Sequence, residues 1–243
     1  MRHPLRRSVP ARASFAALCL GMCAIALPAA AEPVHVLIRQ PLDAPAPAGY
    51  VEQLGGWRNA NTACEVTLLQ GQADSAKPGF ASLAILEFPD EAAYERWNHT
   101  EAPRLDESLL VHRADVMAHS ETGSRKPDTA VFVVNQYEAL VPRDAVQDYT
   151  DQYTIPKLSG QTTAGILKHY TAYLERAPEG THPQIVLVME YADQAALDRK
   201  EAVKAPHKKM LQENFPVWKR VAENKASVRI DRNETRAKLH PLP

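Results

Sequence analysis

Apolar and polar positions alternate along the chain in a pattern that predicts short strands separated by helices. In the first half, the pattern predicts strands at 34–40, 64–72, 81–88 and 109–118, and helices at 50–59 and after Asp90. In the second half, it predicts strands at 130–137, 166–174, 185–191 and 227–232, and helices that begin at Pro142, Asp193 and Pro216. Leaving aside the short helix from Pro216, each half has the order β-α-β-β-α-β.

The two halves also share a stretch of similar sequence. Ile85–Arg96 (ILEFPDEAAYER) corresponds without a gap to Val188–Arg199 (VMEYADQAALDR), at an offset of 103 residues. Solenoid repeats span roughly 20 to 50 residues, so this longer offset indicates two copies of one small domain. We predict the two domains at 32–122 and 129–236, after a separate segment at 1–31.

Matched residues within the repeat have structural explanations. Asp90 and Asp193 are predicted N-caps, whose carboxylates accept hydrogen bonds from the first amides of a helix. The third strand of each half is apolar on both faces, with Ile85 and Leu86 in one copy and Val188 and Leu187 in the other. A sheet covered by helices on one face alone would be polar on the other, so the sheet of the other half is the expected second cover.

This combination of element order and signature resembles the dimeric α/β barrel superfamily. The shared signature is Glu-[Phe/Tyr]-x-Asp-x-Ala-Ala-x-[Asp/Glu]-Arg, which begins at Glu87 and again at Glu190. The resemblance implies an α+β fold, in which tandem ferredoxin-like βαββαβ domains pack sheet to sheet as a pseudo-dimeric α/β barrel. The superfamily includes cofactor-free monooxygenases, other enzymes, haem proteins and domains without known activity. The chain matches no particular subfamily, so no catalytic residue is carried over.

The first 31 residues are typical of a secretory signal peptide. Four arginines and no acidic residue precede an apolar run at 13–27, and small residues lead to a cleavage site near Ala31. We therefore expect Sec-dependent export to the periplasm or secretion. No later segment is apolar enough to predict an integral membrane span.

Charge and cysteine content narrow the expected partners. Removal of the signal changes the balance from 28 basic against 29 acidic residues to 24 against 29, which disfavours nucleic acid as a partner. Cys64 is the one cysteine left after residue 31, so no intramolecular disulfide can form. We expect Cys64 to be a small buried hydrophobe rather than a reactive thiol. The tandem arrangement predicts an intramolecular pseudo-dimer, which would make a monomer sufficient.

Candidate catalytic residues lie in the second half. Alternation places Leu167, His169 and Tyr173 on one face of a strand, and Glu190 is expected to share that face from the neighbouring strand. An imidazole, a phenol and a carboxylate in an apolar cavity between sheet and helices could form a general acid–base set. The alternative is structural: His169 is a satisfied core histidine, and Glu190 pairs with Arg199 or a neighbouring strand.

The sequence predicts neither a metal nor any other cofactor. The chain after residue 31 has no H-x-H or H-x-x-x-H pair, and His112 and His119 are expected on opposite faces of one strand. Haem remains an alternative, with His169 or His207 as the axial ligand. The run from Lys200 to Lys209 is predicted to be a solvated helix face because Glu201 interrupts its positive charge.

These observations favour an exported protein that binds a small hydrophobic or aromatic molecule. One hypothesis is a cofactor-free enzyme that uses His169, Tyr173 and Glu190 for proton transfer. The other is a non-catalytic ligand-binding or accessory protein, in which the same side chains only orient the ligand.

Overall fold

The computed structural model describes residues 32–59, 64–122 and 128–243, in which eight antiparallel strands close into a barrel. In chain order, strands β1 to β8 are Val34–Gln40, Glu65–Gly71, Ser82–Phe88, Leu110–Glu121, Val131–Ala139, Leu167–Glu175, Gln184–Tyr191 and Arg229–Leu239. Helices α1 to α7 are Tyr50–Asn59, Glu91–Thr100, Arg143–Tyr149, Ile155–Thr163, Gln194–Asp198, Lys200–Asn214 and Pro216–Glu223. A π-helical turn, Thr150–Thr154, joins α3 to α4, and 3₁₀ turns occur at Ala102–Arg104 and Lys225–Ser227.

The predicted strands and helices all form, and the largest differences lie at strand ends. The closing strand was expected to end at residue 232, but β8 continues to Leu239. Its extension pairs with β5 and then with β2, which supplies hydrogen bonds that no local pattern reveals. Likewise β4 continues to Glu121, because a bulge after Val116 lets it keep its pairing with β6.

The order of strands around the barrel is β1-β3-β2-β8-β5-β7-β6-β4. The third strand lies between the first and second in each half. Two pairings, β2 with β8 and β4 with β6, connect the halves. The halves therefore join edge to edge through backbone hydrogen bonds, in addition to sharing the interior of one barrel.

Burial on both faces of the third strands is confirmed. Ile85 and Val188 belong to one apolar cluster that draws on all eight strands and fills the barrel interior. Leu86 packs outward against α1 and α2, and Leu187 packs outward against the helices of the second half. The interior thus has its own apolar core, separate from the two sheet–helix layers outside it.

Both predicted N-caps form with the same geometry. Asp90 Oδ1 accepts a hydrogen bond from the amide of Ala93 at 2.7 Å, and Asp193 Oδ1 accepts one from Ala196 at 2.7 Å. Each carboxylate accepts a hydrogen bond from a first-turn amide that has no acceptor within the helix. The repeat therefore contains the same N-cap in both copies.

Residues Ala31–Pro243 form one compact unit, and the division into domains at 32–122 and 129–236 stays a prediction. The predicted signal peptide at 1–31 lies outside the described residues. Within the described ranges, no helix is both long and apolar enough to cross a bilayer. Cys64 is buried, as expected, and burial raises the pKa of its thiol to about 11.

Candidate ligand-binding site

The predicted catalytic residues face the barrel interior. His169 on β6 is the register partner of Glu190 on β7, and both side chains are buried. Tyr173 follows on the same side of β6 and belongs to the interior cluster. Leu167, which was expected on this face, instead packs against the helices, because a bulge between Leu167 and His169 reverses the alternation.

This placement corrects the expected location of the acid–base set, which was a cavity between sheet and helices. His169 Nε2 lies 3.7 Å from Glu121 Oε1, and the Tyr173 ring lies 5.6 Å from the imidazole of His35. A ligand would have to enter the barrel to reach these groups. Their catalytic role stays a prediction.

Polar side chains of the first half also point into the barrel. His35 Nε2 lies 3.4 Å from Glu87 Oε2; burial lowers the pKa of His35, and the glutamate opposes this effect. Arg39 extends to the second half, where Nη2 donates to Glu175 Oε2 at 2.7 Å and Nη1 donates to Gln184 Oε1 at 2.6 Å. The interior therefore contains ion pairs and hydrogen bonds that link the halves, in addition to apolar packing.

A cavity of about 320 Å³ lies on the opposite side of the same sheet. Its floor includes Tyr137 on β5 and Leu187 and Met189 on β7, all of which face outward from the barrel. Side chains of α4 and α6 cover it, and β8 forms one wall. The volume is in the range of small-molecule sites, and the position between sheet and helices is where the sequence predicted a ligand.

Positive charge dominates this cavity. Its described walls contain seven basic and two acidic side chains. The basic ones are Lys77, Lys157, Lys200, Lys204, Lys225, Arg229 and Arg232. A second cavity of about 160 Å³ adjoins it and shares three of these lysines, namely Lys157, Lys204 and Lys225. We call the two together the basic cavity.

Most cations of the basic cavity have acidic neighbours. Lys204 Nζ lies 2.9 Å from Glu201 Oε1, and Lys200 Nζ lies 3.7 Å from Glu234 Oε2. Asp231 is shared, at 3.7 Å from the Lys225 amine and 3.3 Å from the Arg229 guanidinium. These acids only partly offset the positive charge, so a negatively charged ligand would be favoured here.

Lys157 differs from these neighbours. No carboxylate oxygen of the described residues lies within 4.0 Å of its amine, which instead sits 5.6 Å from the centroid of the Tyr153 ring. Burial, together with the smaller effect of the charges of Arg229, Lys204, Lys200 and Lys225, lowers the pKa of Lys157 to about 7. A substantial fraction of the amine is therefore uncharged near neutral pH.

The local chain geometry explains how Lys157 reaches the cavity. The π-helical turn just before α4 rotates the chain, so that Tyr153 stacks between Tyr149 and Trp218 at centroid distances of 5.0 and 5.2 Å. Lys157 follows one helical turn after Tyr153, and its amine lies over the Tyr153 ring of this stack. The Arg229 guanidinium lies 3.4 Å above the Tyr137 ring, which holds a second cation at the cavity floor.

The sequence prediction for Lys200 and Lys204 was wrong. These lysines were expected on a solvated helix face, but both line the basic cavity. Their spacing of four residues places them on one side of α6, and that spacing was the available signal. Lys157 and Lys225 carried no such signal, since each becomes part of the site only when distant elements pack together.

The structure does not assemble a metal site among the described residues. His112 and His119 both face the barrel interior, because the bulge after Val116 reverses the alternation expected for a regular strand. They are separated along β4 and join no cluster of three ligating side chains in the described ranges.

The two candidate haem ligands lie in different parts of the fold. His207 Nε2 lies 2.8 Å from the carbonyl oxygen of Pro156, and its ring packs against Gly160, where a Cβ would meet ring atoms at 2.4 to 2.8 Å. His169 is buried inside the barrel, away from the basic cavity. His207 also lines the smaller of the two cavities.

No protein-family model matches the sequence, and no curated protein matches it. Solved structures share its fold. A candidate monooxygenase from Lactobacillus acidophilus NCFM superposes with a TM-score of 0.54 at 9% identity, over 86% of this chain and 95% of that one. A similar protein from Fusobacterium nucleatum gives 0.54 at 10% identity, over 88% and 94%. An anthrone oxidase-like protein gives 0.54 at 12% identity, over 87% and 92%.

These likenesses bear out the fold that the resemblance implied. This fold is a closed antiparallel barrel of eight strands with helices outside it. At identities of 9 to 12% the likeness establishes the fold alone, and the subfamily is not identified.

Proposed function

We propose that this protein binds a small organic anion in the basic cavity. The observation that carries the proposal is the excess of seven basic over two acidic side chains around a cavity of about 320 Å³. Basic side chains that outnumber their acidic neighbours repel one another, and a bound anion would relieve that repulsion. The ligand is therefore expected to carry a carboxylate or a similar negative group.

The residues of the cavity floor favour an anion whose remaining part is apolar or aromatic. Leu187, Met189 and Tyr137 offer an apolar surface, and Arg229 lies above the Tyr137 ring. A flat ring could rest on this surface while its carboxylate points to the lysines of α4 and α6. An aromatic carboxylate fits both the apolar floor and the basic walls of the cavity. This agrees with the small hydrophobic or aromatic ligand expected from the sequence.

Benzoate is a suitable probe for this proposal, with binding measured by isothermal titration calorimetry. Lys200→Met and Lys204→Met variants should each weaken binding about tenfold or more, because a hydrogen bond to a charged group contributes roughly 1.5 to 3 kcal/mol. Lys209→Met is the matched control, since Lys209 lies on the same helix, is exposed and lines neither cavity.

Three results would contradict the proposal. They are the absence of benzoate binding, equal binding of benzoate and the neutral benzamide, and equal weakening by all three substitutions. A salt dependence of binding that is steeper in the parent and in Lys209→Met than in the other two variants would support it, because each of those two lacks one charge that salt screens.

We also propose export and an intramolecular pseudo-dimer. Support for export is the basic, then apolar, then small-residue order of the first 31 residues. Support for a tandem ferredoxin-like arrangement is the equal strand order of the halves, β4-β1-β3-β2 and β8-β5-β7-β6. Intact mass of protein from a periplasmic fraction should show cleavage near Ala31, and native mass spectrometry should give the mass of a single chain.

A further inference from the structure

We infer that the Lys157 amine is a nucleophile that forms an imine with an aromatic oxo acid. The inference rests on the proposed function, because the carboxylate of that ligand would be held by the lysines of the basic cavity. Lys157 is the lysine that both adjoining cavities share from α4, so its amine can reach a ligand in either.

The surroundings of Lys157 suit a neutral amine better than a structural cation. No described carboxylate approaches within 4.0 Å, whereas Lys200, Lys204 and Lys225 each have one. Its neighbour is the Tyr153 ring, which belongs to an aromatic stack with Tyr149 and Trp218. A lysine surrounded by cations and apolar groups releases its proton readily, which frees the lone pair for attack.

The surrounding charges also give the lysines different roles, namely binding of the carboxylate and attack on the oxo group. Lys204 and Lys225 border both cavities with Lys157, and each lies beside a carboxylate, Glu201 for Lys204 and Asp231 for Lys225. Charged lysines hold a carboxylate, while the uncharged one attacks. An oxo group next to the carboxylate would then lie close to the Lys157 amine, as a near-attack geometry requires.

The step balances with no further reagent. The nitrogen lone pair of Lys157 attacks the carbonyl carbon, a C–N bond forms, and a proton moves from nitrogen to oxygen to give a carbinolamine. The C–O bond then breaks as that oxygen takes a second proton from solvent and leaves as water. The product is a protonated imine on Lys157, a cation that the carboxylate of the same ligand partly neutralises.

The test uses phenylglyoxylate as the oxo acid and borohydride to reduce the imine to a stable secondary amine. The full chain after signal removal is treated with both reagents, and the adduct is located by intact mass and peptide mapping. One adduct per chain, on Lys157, is expected. Lys157→Arg keeps the positive charge but removes the nucleophile, and should lower the adduct yield at least about tenfold. Lys209→Arg should leave it unchanged.

The outcomes separate this inference from the proposed function. If benzoate binds but phenylglyoxylate and borohydride give no adduct, or an adduct spread over surface lysines, the inference is wrong and the proposed function stands. If neither acid binds, both are wrong. If Lys157→Arg and the parent have the same melting temperature, misfolding is excluded as the cause of adduct loss. If Lys157→Arg melts at a lower temperature, Lys157→Met is tested in its place and must also lose the adduct.

Discussion

Arg39 on β1 donates a 2.7 Å hydrogen bond to Glu175 on β6, so a buried ion pair joins the two halves inside the barrel. Both side chains are almost fully buried, at 7% and 2% exposure. Burial raises the pKa of Glu175 to about 7, and the charge of Arg39 opposes that rise. The ion pair therefore connects the two halves of the fold, and its contribution to stability depends on pH.

We expect Arg39→Met to lower the free energy of unfolding by about 3 to 5 kcal/mol at pH 8, because it leaves a buried carboxylate without its cation. The loss should be smaller at pH 5, where protonated Glu175 is neutral and needs no cation. The double variant Arg39→Met/Glu175→Met should lose less than the sum of the single changes. Urea unfolding at pH 8 and pH 5 measures the free energy of unfolding of the parent and of each variant. If the losses of the two single variants add up to that of the double variant, the pair does not act as a unit.

The two repeated N-caps should contribute equally to stability. Asp90→Ala and Asp193→Ala are each expected to cost about 1 kcal/mol, because each removes a 2.7 Å hydrogen bond to a first-turn amide. Asn replaces Asp well at an N-cap, so Asp90→Asn and Asp193→Asn serve as controls and should retain most of the stability. An alanine variant as stable as its asparagine counterpart would contradict the structural explanation of the repeat.

Lys157→Met should stabilise the protein at pH 6. The charged amine is buried among Arg229, Lys200, Lys204 and Lys225, so methionine removes a cost of desolvation and repulsion. The folded pKa of about 7 lies below that of the unfolded chain, so the unfolded state binds more protons between the two values and parent stability rises with pH there. The advantage of the variant should shrink towards pH 9.

Thermal melts at pH 6, 7.5 and 9 measure this effect. Lys209→Met provides the control, because Lys209 is exposed and its pairing with Glu213 lies outside the basic cavity. A Lys157→Met variant that melts below the parent at pH 6 would show that the amine stabilises the folded state there.

The acid–base hypothesis makes a separate prediction for the barrel interior. If His169 and Glu190 transfer protons, His169→Ala and Glu190→Gln should each lower turnover of small aromatic compounds about 10²- to 10⁴-fold. Benzoate binding in the basic cavity should be unaffected, because these side chains face the opposite side of the sheet. Mass spectrometry of the products measures turnover, and variants that match the parent would remove the hypothesis.

Sequence pattern predicted the elements well because their causes are local. Asp90 and Asp193 begin helices through contacts three residues away, and strand alternation follows from the backbone itself. The two-sided apolar third strands predicted a second cover, which the barrel interior provides. Prediction failed where a single extra residue changed the outcome: the bulge before His169 moved Leu167 to the other face.

By itself, the sequence determined the order of elements, the duplicated pattern and the double burial of the third strands, since each arises from neighbours along the chain. Tertiary structure alone decided how the barrel closes, through β2 with β8 and β4 with β6. It also brought Lys77, Lys157, Lys200 and Lys225 around one cavity. Such groupings depend on pairings between residues distant in sequence, which no local periodicity encodes, and the folded barrel holds these charges together at the cost of their repulsion.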